Sequence, residues 1–254
     1  MVIRAIPGAA GTARRAATLV QQARWARGLT REQLDEVLSH TEERSYAAGD
    51  CALHAGEPVA HWTGVVEGFA KMSVASAQGR ASTLTGVSAG VWFGEGSLMK
   101  REARRYDVVA LRPLRLALVP RPVFEWLRDT SIPFNHSLQD LLNARLSLFI
   151  GMLSEDRLLD TDARVAHALA SLFHDDLYPN ASPHVQLNQG EVGLLANVSR
   201  QRANVALRRL QEHSLIRIGR QGLTVLDIDG LRRVAGGQPL GAERDGAPMH
   251  QPER

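Results

Sequence analysis

Residues 187–216, LNQGEVGLLANVSRQRANVALRRLQEHSLI, carry side chains suited to reading the edges of DNA bases. Ser199 is placed to cap a helix running to about Glu212, on which Ala203, Ala206, Leu207 and Leu210 recur at i, i+3, i+4 and i+7 and define a buried side. The opposite side presents Arg200, Gln201, Asn204, Val205 and Arg208. Arg can place two hydrogen bonds on guanine O6 and N7, Gln or Asn two on adenine N6 and N7, and Val205 can meet a thymine methyl. Arg202, Arg208 and Arg209 suit phosphate contacts or a solvent-facing role. Ahead of this helix, Asn188 and Glu191 make an N-cap and its N3 partner, and Leu194, Leu195 and Val198 supply apolar contacts. Asn197 falls where the link between two such helices needs a left-handed residue, a conformation Asn tolerates. From Glu191 to Arg220 there are six Arg against two Glu, the local positive surplus a DNA module needs. Ile216 to Ile218 and Leu223 to Leu226, either side of Gly219 to Gly222, read as a two-stranded wing.

These residues resemble the winged helix-turn-helix of the cyclic-AMP receptor and fumarate–nitrate regulator (Crp–Fnr) family. VSRQRANVALRRL is similar to that family's recognition helix, which typically opens Ser-Arg-Glu-Thr. Here Gln201 replaces the Glu, Arg202 the Thr, and Val205 a frequent second Arg. Gln both donates and accepts where Glu only accepts, so the half-site is expected to differ from the family's common one. The resemblance spans roughly residues 30–235. Within it, GEGSLMKREARRYDVVAL (residues 94–111) resembles the phosphate-binding cassette of cyclic-nucleotide-binding rolls. That resemblance implies a cradle of backbone N–H groups at Gly94, Glu95 and Gly96, a hydroxyl from Ser97, and a ribose contact at Glu95. It implies a phosphate-neutralising Arg, by position Arg105, with Arg104 the alternative. Tyr106 and Asp107 follow where nucleotide-binding members carry small or hydroxyl residues; the Asp would repel a phosphate and the Tyr would fill the pocket. A cyclic nucleotide, another effector or no effector at all stay open, as does an internal salt bridge between Glu95 and the Arg pair.

The elements that position these residues can be read from composition and spacing. With 254 residues the chain is long enough for one or two domains with a real core. One Cys, Cys51, excludes an intramolecular disulfide framework and a four-cysteine metal or iron–sulfur site within one chain. No run approaches the ~18 apolar residues of a membrane span, and no secretion signal is visible, so a soluble, cytoplasmic protein is expected. Net charge is +3, and all basic residues but Lys71 and Lys100 are Arg, the residue of bidentate phosphate and guanine contacts. GC-rich codon usage accounts for the same bias. The spacing predicts an α+β protein. Residues 1–29 form a basic N-terminal extension with a helix over Ala13 to Arg27. It carries five Arg and no acid up to residue 28, and reads as a solvated arm. Residues 30–130 open with a helix capped by Thr30 and Gln33 and continue as Gly-punctuated short strands, which read as a β-sandwich, barrel or roll; the resemblance implies the cyclic-nucleotide-binding-like β-roll. Residues 131–160 hold a long helix with Leu138, Leu142, Arg145, Phe149 and Met152 at helical spacing, which can pack on its own domain or, as a dimerisation helix, against a second chain, the use its length favours. Residues 161–236 are the winged helix-turn-helix, with a polar loop over His174 to Pro183, and 237–254 a disordered tail.

Other stretches of the chain offer residues for other chemistries. His54, Glu57 and His61 in a Gly-rich roll resemble a metal-dependent cupin-like enzyme, but Gly56 stands where the His-x-His pair needs its histidine. Nothing in the spacing of Cys51, His54 and His61 favours haem, and no metal ligands are assigned. Gly86-Val87-Ser88-Ala89-Gly90 fits Gly-x-Ser-x-Gly but precedes a strand rather than a helix, so a β-turn is expected and no catalytic residue is assigned. A sensor that binds no DNA is opposed by Arg200, Gln201 and Asn204. The family resemblance implies a homodimer on double-stranded DNA with a palindromic operator, and RNA polymerase as a further partner, with no membrane partner.

Overall fold

A computed structural model describes residues 9–75, 81–155, 160–179 and 181–241. Residues 1–8 and 242–254 lie outside it, and with the latter most of the tail expected to be disordered from residue 237. The chain divides into two compact units, Met1–Arg157 with Ser171–Ser182 and Leu158–Ala170 with Pro183–Arg254.

The first unit begins with α1 (Ala9–Gln22), a 3-10 turn (Arg24–Gly28) and α2 (Arg31–His40). Thr30 and Gln33 close the expected capping box at the start of α2. The strands follow as β1 (Glu42–Tyr46), β2 (Cys51–Leu53), β3 (His61–Glu67), β4 (Phe69–Ala75), β5 (Ala81–Ser88) and β6 (Trp92–Phe93). After α3 (Glu95–Lys100) come β7 (Asp107–Ala110) and β8 (Leu114–Pro120). They form two antiparallel four-stranded sheets, ordered β1-β8-β3-β6 and β2-β7-β4-β5, the short strands that the Gly spacing predicts in the roll that the resemblance implies. α4 (Arg121–Thr130) and α5 (Ile132–Glu155) close the unit.

The reading of residues 1–29 as a solvated arm is corrected for the part described. Ala16, Leu19, Val20, Ala23, Trp25 and Ala26 are buried in the same core as Trp62, Trp92, Phe124 and Phe134. The ring centroids of Trp25 stand 4.9 Å from Trp62 and 5.1 Å from Trp92. Such rings gain packing energy beyond their buried area. Gly64 on β3 records how closely α1 approaches: a Cβ there would lie 2.8 Å from Trp92 and 2.9 Å from Leu19. The Arg count of the segment suggested solvent, but its apolar residues between those arginines decide where it goes.

The single stripe expected along the long helix is also revised. On α5, Phe134 and Leu138 are buried, while Leu142, Leu146, Phe149 and Ile150 are exposed, at i, i+4, i+7 and i+8. Two apolar faces therefore share one helix. The side chains of Met152 and Leu153 lie outside the description.

The second unit contains α6 (Thr161–Ala170), β9 (His184–Val185), α7 (Gln189–Leu195), α8 (Arg200–Glu212), β10 (Ile216–Gly219), β11 (Gly222–Val225) and α9 (Ile228–Ala235). The wing has three antiparallel strands, β10-β11-β9, one more than expected. The expected domain 161–236 is interrupted, because residues 171–182 belong to the first unit. There the buried Tyr178 hydroxyl donates to the Gly86 carbonyl at 2.7 Å and stands 3.0 Å from Thr85 Oγ1.

Candidate nucleic-acid interface and effector cassette

The helix-turn-helix is fixed by its caps. Asn188 Oδ1 accepts from the Glu191 N–H at 3.0 Å, and Glu191 Oε2 accepts from the Asn188 N–H at 2.8 Å, which starts α7 as expected. Asn197 turns the chain with φ of 51°, the left-handed conformation expected of it. Arg164 of α6, a residue that sequence reasoning missed, donates to the carbonyls of Ala196 and Asn197 at 3.1 and 2.9 Å and clamps that turn. No local motif announces this contact, because it is made across 32 residues of chain. A Cβ at Gly193 would stand 3.0 Å from the Val198 carbonyl in the turn and 3.4 Å from Ala203 Cβ on α8, so α7 and α8 meet at close range. Ser199 Oγ accepts from the Arg202 N–H at 3.3 Å and caps α8.

α8 buries Ala203, Ala206, Leu207 and Leu210 and leaves Arg200, Gln201, Arg202, Val205 and Arg208 exposed. Five of the seven predicted contact residues thus share one open face, and Ser199 lies at its start. Asn204 is different: it is half-buried, with Oδ1 enclosed and without a hydrogen-bond partner, so it stands at the edge of that face. Arg209 is a correction. It pairs with Asp162 of α6 at 3.0 Å and acts within the fold rather than as a free phosphate contact. The wing adds exposed Arg217 and Arg220. Its Gly222 has φ of 143°, and a Cβ there would fall 2.2 Å from the Val185 carbonyl, so β11 can lie against β9 only with glycine at this position. Exposed guanidinium groups around a capped helix start can meet a phosphate backbone and base edges together.

In the roll, Gly94 opens α3 with φ of 93°. Gly96 and Ser97 follow, both half-buried. Glu95 is 3% exposed, and its Oε1 lies 2.9 Å from Nε of Arg145 on α5. Arg145 Nη2 also donates to the Trp92 carbonyl. The expected salt bridge between Glu95 and the Arg pair is therefore replaced by one to α5. Arg104 is 7% exposed and its Nη1 has no hydrogen-bond partner; a Cβ on Gly94 would stand 3.7 Å from that nitrogen. Its guanidinium carbon lies 5.6 Å from the centroid of the Tyr106 ring. Burial pushes the Tyr106 phenol up, against the opposing charge of Arg104. Arg105, the first choice from the sequence, is exposed and pairs with Glu102 at 2.8 Å. The structure brings Arg104, not Arg105, to Gly94. Asp107 does not complete a repulsive pocket either. Alternation along β7 buries Val108 and Ala110, and Asp107 sits on the other face with Oδ1 accepting the Ala55 N–H at 2.8 Å.

The other motifs resolve simply. Gly86 to Gly90 covers the end of β5 and a turn in which the Val91 N–H donates to the Ser88 carbonyl at 3.2 Å, as expected of a β-turn. His54, Glu57 and His61 are not gathered into one ligand set; the His54 imidazole meets Cys51 and Asp107 instead. No helix among the described residues is long and apolar enough to cross a membrane.

Comparison with known proteins agrees with this geometry. The family model of the cyclic nucleotide-binding domain matches residues 43–131, and that of the Crp-like helix-turn-helix domain matches residues 163–234. The chain is 28% identical over 213 residues to the cyclic AMP receptor protein of Thermus thermophilus, covering 83% of this chain and 95% of that protein. It is 31% identical over 199 residues to the transcriptional regulator SdrP of the same organism, covering 76% of this chain and 94% of that one. The solved structure of FixK2 from Bradyrhizobium japonicum shares the fold with a TM-score of 0.64 at 19% identity, covering 76% of this chain and 96% of that one. A roll of the cyclic nucleotide-binding type followed by a Crp-like helix-turn-helix, matched along nearly the whole of a regulator at this identity, makes the chain a member of the Crp–Fnr family of DNA-binding transcription regulators, which are not enzymes.

Proposed function

We propose that the protein acts in the cytoplasm as a homodimer that places α8 of each protomer in the major groove of a palindromic operator and is switched by an anionic effector in the roll. The observation that carries this reading is the open face of α8, where Arg200, Gln201, Arg202, Val205 and Arg208 project opposite a closed apolar side. Arg200 and Gln201 read bases, Val205 meets a thymine methyl, Arg202 and Arg208 hold phosphates, and the Ser199 hydroxyl donates at the helix start. Asn204 joins them only by turning its enclosed amide outward. The exposed Leu142, Leu146, Phe149 and Ile150 of α5 supply the face for pairing with a second copy. Two-fold symmetry then imposes inverted half-sites about one helical turn apart. RNA polymerase is the further partner that the family implies.

The cassette fits a phosphate. A buried guanidinium with an unpartnered N–H lies beside a glycine turn, the place a cyclic nucleotide takes in this reading. Arg104 neutralises the charge, and Gly94, Gly96 and Ser97 offer donors. Glu95 turns toward a sugar hydroxyl and so loosens its hold on Arg145 of α5. Binding that favours the loosened state shifts the population of α5 arrangements.

Selection from random duplex DNA by the full chain, with and without cyclic AMP, tests the reading. An enriched inverted repeat with half-site centres roughly 34 Å apart is expected, lost in Arg200→Ala, where each bidentate base contact accounts for ~1–3 kcal/mol. An unrepeated site, or no enriched site, overturns it. Thermal unfolding against cyclic AMP, cyclic GMP and cyclic di-GMP tests the effector. Ligand at ~100 times its Kd adds about 2.7 kcal/mol. Arg104→Gln is expected to remove the shift and Arg105→Gln to keep it; the reverse returns the role to Arg105.

A further inference from the structure

On the other face of the cassette's sheet lies a cluster that neither DNA reading nor effector binding uses. Cys51 opens β2, His54 follows its end, and Asp107 opens β7. β2 and β7 are antiparallel neighbours with Cys51 opposite Val109, and alternation puts Asp107 on the same face as Val109. Strand pairing therefore sets the thiol beside the carboxylate, although they come from distant stretches of chain. The Cys51 sulfur, a His54 ring nitrogen and an Asp107 carboxylate oxygen all lie within 4.8 Å of one another. Ligands of one tetrahedral zinc stand roughly 3.3–3.8 Å apart, so small side-chain rotations close the set.

The surroundings hold these groups in place. Asp107 Oδ1 accepts the Ala55 N–H at 2.8 Å, the kind of outer contact that orients a ligating carboxylate. The loop after His54 is pinned on both sides of Arg104: the Gly56 N–H donates to the Arg104 carbonyl, and the Arg104 N–H to the Glu57 carbonyl, each at 2.8 Å. His54 is exposed, which gives an entry path and an open coordination position. One thiolate, one imidazole and one carboxylate suit zinc-type ions and not Mg²⁺ or Ca²⁺, which take oxygen ligands.

We propose that Cys51, His54 and Asp107 form a binding site for a zinc-type divalent metal ion, completed by water. On binding, the Cys51 thiol gives its proton to solvent and the thiolate becomes a ligand. The proposal gives Asp107, a departure from the family's cassette pattern, a task away from the effector. Sequence spacing could not reveal it, because Cys51 and His54 alone show no ligand pattern and Asp107 arrives only through strand pairing.

The test is titration of the chelator-treated, reduced full chain with Co²⁺, followed by competition with Zn²⁺. Since Cys51 is the sole cysteine, a thiolate-to-cobalt charge-transfer band reports this residue and none of the eight histidines outside the site. One Co²⁺ per chain with that band and with tetrahedral visible absorption is expected, displaced by Zn²⁺. Cys51→Ser should abolish the band, and the exposed His54→Ala should weaken binding at least roughly tenfold, the scale on which even outer-shell changes act. Asp107→Asn keeps an oxygen for the Ala55 N–H, so it tests ligation with the loop intact, and the same weakening is expected. Absence of the band, or binding unchanged in His54→Ala and Asp107→Asn, overturns the proposal. Half a Co²⁺ per chain also overturns it, because the thiols of two chains would then be sharing the ion.

Discussion

On α8, Arg200, Gln201, Arg202 and Arg208 stand in solvent, whereas in the cassette Glu95 and Arg104 are 3% and 7% exposed. The same residue types serve different ends under the two conditions. Exposed guanidinium groups cost little to hold, act at range and are screened by salt, which suits a partner as large and charged as DNA. Burying a charge costs free energy unless it is paired: Glu95 is held by Arg145, whereas Arg104 keeps an Nη1 without a hydrogen-bond partner. A ligand that displaces a buried partner moves something; a ligand that meets a free surface need not. Under the proposed function, this contrast suits switching in the roll and reading on α8.

The largest effect that can break this comparison is in the roll. Arg145→Met leaves Glu95 enclosed without its cation, and unfolding should show a loss of ~3 kcal/mol, at the lower end for a buried pair because Arg145 is partly exposed. Adding Glu95→Gln should recover much of it. If Arg145→Met alone is neutral, the pair is not the buried restraint described. Next, Gly64→Ala presses a methyl against Trp92 and Leu19 and should cost ~1–3 kcal/mol, with partial relief from Leu19→Ala in the same chain. An unchanged melting temperature would detach the N-terminal segment from the core. The smallest effect sharpens the reading unit. Asn197→Ala forces a less tolerant residue to φ of 51° and should cost about 1 kcal/mol, while Asn197→Gly should stay within a few tenths. Equal effects would mean that this turn is not held in the left-handed conformation.

The parts read from the sequence were those set by neighbours in the chain. The capping box of Asn188 and Glu191, the turn at Asn197 and the buried stripe of α8 depend on spacings of a few residues, and all are present. Gly-bounded runs likewise point to the short strands, while the roll itself comes from the family resemblance. What went unread depends on partners far along the chain. Arg104 and Arg105 are adjacent and chemically alike, and the loop ahead of β7, pinned to Gly56 and Glu57, decides which faces Gly94. Arg209 looked like a free cation because Asp162 is 47 residues away. Trp25 was legible as apolar, but its neighbours Arg24 and Arg27 suggested solvent, and nothing local names Trp62 and Trp92 as its partners.

Tyr178 bears on how the chain is made. The roll's unit takes in residues 171–182, and the Thr85–Tyr178 contact spans 93 residues. Synthesis runs from the N-terminus at ~5–20 residues per second, so a nascent chain carries all eight roll strands well before Tyr178 leaves the ribosome. Until then the Gly86 carbonyl lacks its Tyr178 donor, and the first unit cannot be finished before α6 of the second has been made. Contacts this long-ranged slow folding, because the chain between them must be ordered before they form. A cut after α5 would therefore release a roll missing one of its own pieces.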